Sequence, residues 1–113
     1  MNTIEAETAT SGQLTLIAFL RAKPDSADEL GRRLSALVEP TRLEPGCIDY
    51  QLHRSSSDPG LWVLYENWRS QADLDLHFQM PYLRLMLADF PQLLRREMEL
   101  HYLHKVDDCA SSR

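Results

Sequence analysis

At 113 residues the chain is one domain, long enough to bury a core, and 43% hydrophobic with 26% charged residues is the composition of a soluble globular protein. A net charge of −5 argues against nucleic acid or an anionic membrane as partner, since the densest basic pairs, Arg32-Arg33 and Arg95-Arg96, read as solvated faces in helical contexts. No apolar run reaches membrane-spanning length, and Met1–Gln13 has neither the basic start nor the apolar core of a secretory signal. Two cysteines without framework spacing, Cys47 and Cys109, point to a reducing compartment, the cytoplasm, and not to a disulfide.

Residues 1–13 and 107–113 read as disordered tails flanking one domain over 14–106. Leu14–Ala22 is a strand apolar on both faces, with Leu14, Leu16, Ala18 and Leu20 opposing Ile17 and Phe19. Lys23-Pro24-Asp25 ends it. Ser26 and Glu29 have the spacing of a capping box, and Ala27, Leu30, Leu34, Leu37 and Val38 follow at helical intervals. Pro40 should kink or end this helix, and Glu44-Pro45-Gly46 ends it in any case.

Cys47–Arg54 alternates as a half-exposed strand, with Ile48, Tyr50 and Leu52 on one face. Ser55–Gly60, which contains Asp58-Pro59-Gly60, is a hairpin turn into Leu61–Arg69, again apolar on both faces. Ser70 caps a short helix over Gln71–Met80. Pro81 opens another, with Leu83, Met86, Leu87 and Phe90 on one face, and Pro91 stops it. A last strand spans about Glu97–Val106.

Strand, helix, strand, strand, helix, strand is the α+β, ferredoxin-like split βαβ order, with an antiparallel sheet in which the first and third strands are central. Helices cover one face of such a sheet. The other carries Ile17 and Phe19 from the first strand, with Val63 and Tyr65 or their opposites from the third, and the simplest cover is the same face of a second copy, making a homodimer.

Tyr65-Glu66-Asn67-Trp68 concentrates the candidate chemistry. Period two puts Trp62, Leu64, Glu66 and Trp68 on one face, so a carboxylate sits between two indoles on an apolar stripe. It must reach water, find a partner or keep its proton. An ion pair across the sheet or at a dimer interface competes with a role orienting His77 or a substrate hydroxyl. His77, on the short helix beside Phe78, points inward or to the boundary, either as general base or as a histidine bonded to backbone or a Glu. Trp68 either lines a pocket or packs sheet against helix. Tyr50, Tyr65, Tyr82 and Tyr102 read as packing residues, any of which could hydrogen-bond a phenol. His101 and His104 lie three apart on a strand, face opposite sides and cannot share a metal. Scattered glycines make no phosphate loop, so neither a metal nor a nucleotide cofactor is expected.

Glu44-Pro45-Gly46-Cys47 leading into Tyr50-Gln51-Leu52, then Tyr65-Glu66-Asn67-Trp68, Leu76-His77 and Pro81-Tyr82 closely resemble the antibiotic biosynthesis monooxygenase domain family, over about Leu14 to Val106. The resemblance implies a dimeric α+β barrel and cofactor-free oxygenation, in which a hydroxylated aromatic is deprotonated in a dry pocket and reacts with dioxygen. Trp68 falls on the family's active-site Trp and His77 on its common His. Leu64 stands where polyketide oxygenases carry Asn, and Leu87 where haem-degrading members carry their ligand His. The resemblance therefore implies a monooxygenase of quinols or small hydroxylated aromatics, without cofactor, with His77 as base and Glu66 its partner. Trp68, Leu64, Leu74, Phe78, Leu83 and Met86 would form the pocket. The rivals are an enzyme processing a small oxygenated signal molecule and a non-catalytic dimeric binding module.

Overall fold

A computed structural model describes residues 12–106; the expected tails, but for Gly12 and Gln13, and Cys109 with them lie outside the described residues. Seven elements follow in order: β1 (Leu14–Arg21), α1 (Ala27–Arg42), β2 (Cys47–Arg54), β3 (Leu61–Trp68), α2 (Gln71–Gln79), α3 (Pro81–Leu93) and β4 (Glu99–Leu103). The four strands form one antiparallel sheet in the order β2-β3-β1-β4, so the two strands with apolar residues on both faces are the central ones. This is the ferredoxin-like α+β arrangement.

Leu14, Leu16, Ala18 and Leu20 of β1 are buried under the helices, with Leu64 and Trp68 of β3. Leu30, Leu34 and Leu37 of α1 and Leu83, Met86 and Phe90 of α3 close this core from above. On the opposite face Ile17, Phe19, Val63 and Tyr65 are only half-buried in the single chain.

Trp62 anchors α1 to the sheet. Its indole N–H donates to the Ala27 carbonyl at 3.0 Å, and the Arg54 guanidinium lies 4.6 Å from its ring centre. The ring passes so close to the helix that a Cβ on Gly31 would lie 2.2 Å from Cζ2, which only glycine avoids.

Several local expectations are corrected. Ser26 takes the N-cap position without a side-chain bond, its backbone at φ −113° and ψ 5° being outside the extended N-cap conformation, while its N–H donates to the Lys23 carbonyl and the Glu29 carboxylate pairs with Arg32 and Arg33. Pro40 does not stop α1, which runs to Arg42, and Pro91 does not stop α3, which runs to Leu93. Each proline sits in a final turn, where one lost N–H leaves the remaining bonds intact. A bulge shifts the β2 register between Cys47 and Asp49, so Ile48 is exposed instead of sharing the face of Tyr50. The last strand is shorter than expected, and Arg95-Arg96 lies past the end of α3, not in a helix. Ser70 does cap α2, accepting from the Asp73 N–H at 3.2 Å.

Two junctions position the site. After Pro40 the helix tightens into i→i−3 bonds, from Leu43 to Pro40 and from Glu44 to Thr41, and this last turn buries Glu44. The chain then passes Gly46, where a Cβ would lie 2.2 Å from the Asp73 carboxyl carbon. Its bare backbone lets the first turn of α2 dock against the 44–46 corner, helped by an Arg69 N–H to Gly46 carbonyl bond of 2.8 Å.

Candidate active site

Glu66 projects from β3 toward the helices and is 3% exposed. Its carboxylate accepts one hydrogen bond, from Trp68 Nε1 at 2.9 Å, and pairs with no cation among the described residues. Burial pushes its pKa up to about 7, with the Trp68 bond opposing and the Glu44 charge adding a smaller push. Of the three fates open to this carboxylate, it holds its proton to near neutrality.

His77 is 2% exposed, so of the two positions expected for it, inward or at the boundary, it takes the inward one. Docking of α2 on the 44–46 corner brings Nδ1 to 3.0 Å from Glu44 Oε2. The ring lies 4.7 Å from Trp68 and 5.6 Å from Tyr50, centre to centre. The same Glu44 oxygen accepts from the Tyr82 hydroxyl, which reaches it from the start of α3. Burial lowers the His77 pKa, outweighing the pull of Glu44, so the ring is neutral near pH 7. A neutral imidazole that donates from Nδ1 to a carboxylate carries its lone pair on Nε2, the arrangement of an oriented general base.

These groups meet at a cavity of about 20 Å³ between sheet and helices, with Tyr50, Glu66 and His77 as its polar lining. Burial, then the nearby Glu66 charge, raises the Tyr50 pKa well above the ordinary phenol value, so its hydroxyl stays a donor. The volume admits about one water or a molecule of dioxygen. A ring can enter only if the walls part.

Of the residues named from sequence, Leu64, Glu66, His77, Phe78 and Leu83 line this cavity. Trp68 does not; it stacks beneath His77 and bonds Glu66, supporting both. Leu74 and Met86 are buried in the core outside the lining. Leu87, at the haem-ligand position of the resemblance, is part of the wall. The partner of His77 is corrected from Glu66 to Glu44, because Glu66 turns along its strand to Trp68 while α2 abuts the turn after α1. In the sequence Glu44 reads as part of a helix stop and Tyr82 as packing. Both stood within the quoted motifs, and only the docking of α2 and α3 on the 44–46 corner reveals their joint role. His101 bonds Glu99 on the open face, and among the described residues no three metal-ligating side chains gather.

Residues 13–89 match the model of the family described as antibiotic biosynthesis monooxygenase. A Mycobacterium tuberculosis protein named as a candidate monooxygenase is 34% identical over 98 residues, covering 87% of this chain and 96% of the relative. Its solved structure superposes with a TM-score of 0.81 at 33% identity, over 86% of this chain and 98% of that one. A Pseudomonas aeruginosa structure gives a TM-score of 0.80 at 35% identity, over 84% and 95% of the two chains. A Synechocystis protein of uncharacterized function is 35% identical over 81 residues, 72% of this chain; the match spans only 55%, about half, of that relative's length. With its split βαβ sheet, its motifs at the site and a family match across most of its length, this chain belongs to the antibiotic biosynthesis monooxygenase family.

Proposed function

We propose that the protein is a cofactor-independent monooxygenase that oxidises a quinol or other small hydroxylated aromatic with dioxygen. The observation that carries the reading is His77: neutral, buried at an apolar cavity, and oriented through Nδ1 by Glu44 so that Nε2 is free to take a proton. His77 removes a phenolic proton. The electron-rich quinolate reduces dioxygen, and a ring carbon bonds one oxygen atom. Loss of the ring hydrogen and cleavage of the O–O bond then give a hydroxyquinone and water. The quinol supplies every electron, so no outside reductant is required.

Tyr50 and protonated Glu66 are hydrogen-bond donors facing the same cavity, suited to stabilising the oxyanion that forms. The name of the Mycobacterium tuberculosis relative supports the reaction class. A homodimer closed through the sheet face of Ile17, Phe19, Val63 and Tyr65, working in the cytoplasm, completes the proposal.

Oxygen uptake with a panel of quinols, with product mass read under labelled dioxygen, tests it. One labelled atom in the product without added flavin, haem or metal is expected. Turnover of an oxygenated non-aromatic compound alone would favour the signal-molecule rival, and no turnover of any compound would favour the binding module.

A further inference from the structure

Two hollows share one wall. Leu87, Phe90 and Met98 line the small buried cavity, and they also line a cleft of about 570 Å³ between the end of α3 and the chain leading into β4. The cleft has the size of small-molecule sites, about 300–1,000 Å³, which the buried cavity lacks. Pro91 and Leu94 give it further apolar lining, and Arg95, Arg96 and Glu97 are its charged residues. Arg95 and Arg96 are exposed, and neither guanidinium is engaged in an ion pair or side-chain hydrogen bond among the described residues. In a chain of net charge −5, two uncommitted arginines at one mouth stand out, and Glu97 offsets only one of them.

The shared wall is suited to movement. Leu87 and Met98 are half-buried, and Met98 lies just before β4, outside any helix or strand. Methionine's unbranched side chain repacks readily.

We propose that this cleft is the antechamber of the buried site, that Leu87, Phe90 and Met98 form an apolar gate between the two, and that Arg95 and Arg96 select aromatic compounds bearing a carboxylate or similar anionic group. The gate rests on the oxygenase reading of the cavity; the selection of anions stands without it. An aromatic anion fits the cleft on both counts, its ring against Leu87, Phe90, Pro91 and Leu94, its charge against the guanidiniums.

Calorimetric titration of the full chain with 2-naphthoate and 2-naphthol tests the selection. Naphthoate should bind about three- to tenfold tighter, a preference that shrinks with salt, as exposed charge pairs do. The Arg95→Ala/Arg96→Ala double variant should lose that preference while keeping its naphthol affinity. Equal affinities in the parent, a preference unchanged in the double variant, or a double variant that alters only self-association would overturn the selection. The gate is tested by oxygen uptake on a quinol that the parent turns over. Leu87→Trp should lower kcat/KM about tenfold or more, and Met98→Ala should raise it. Unchanged turnover in both variants would overturn the gate. If no quinol is turned over, the oxygenase reading fails and the gate with it, while the naphthoate titration still decides the anion site.

Discussion

Glu44 and His77, 33 residues apart in the chain, meet in the interior with Oε2 3.0 Å from Nδ1. The contact exists because α1 ends in a tight turn that buries Glu44 and because Gly46 lets α2 dock beside that turn. It fixes which histidine nitrogen is free, and that decides what the site can do.

Glu44→Gln should therefore slow turnover of a confirmed quinol by about two orders of magnitude, within the usual range for loss of an effective general base. Glu44 raises the His77 pKa against the larger effect of burial, so the variant's acidic limb in kcat/KM should move to lower pH. A pH–rate profile checks both. A limb that stays in place would separate His77 from the titration.

Glu66 links the site to stability. Its pKa rises from 4.5 to about 7 on folding, so the folded chain keeps a proton that the unfolded chain releases. The resulting stabilisation is full below about pH 4.5 and is lost as the pH climbs through about 7. Glu66→Gln mimics the neutral acid, so its stability relative to the parent should rise across this window by roughly 2–3 kcal/mol. Urea unfolding at pH 4.5 and pH 8 measures the change, and a difference independent of pH would contradict it.

Gly31→Ala places a methyl group 2.2 Å from the Trp62 ring and should destabilise by about 1–3 kcal/mol, the usual range for overpacking. Thermal melting reads this directly. A paired Trp62→Leu replacement should recover part of the loss.

The sheet face of Ile17, Phe19, Val63 and Tyr65 should bring two copies together at micromolar concentration. Sedimentation should give twice the chain mass. Replacing Phe19 and Tyr65 with charged residues should produce monomers.

The strand order was legible because burial leaves a pattern. β1 and β3 carry apolar residues on both faces and proved central, while β2 alternates and proved an edge. Prolines were less informative, since Pro40 and Pro91 mark final turns and the helices continue past them for about half a turn. The bulge that exposes Ile48 has no local signature in Cys47-Ile48-Asp49. Glu66 and His77 stood out as polar groups on apolar faces and do share a cavity. Their partners did not stand out, because Glu44 depends on a turn meeting a helix far along the chain. Trp68 was placed on the correct face, but whether its ring meets the cavity or supports His77 from below depends on packing.

The most direct test of the account is the rate of oxygen uptake by His77→Gln on a quinol that the parent oxidises, at pH 7 and without added cofactor. Gln fills much of the space of the buried ring and keeps a hydrogen bond to Glu44 within reach, so the folded variant isolates the missing base. A fall of about two to four orders of magnitude is expected, with melting behaviour close to the parent's. A folded variant that retains the parent's rate would contradict it.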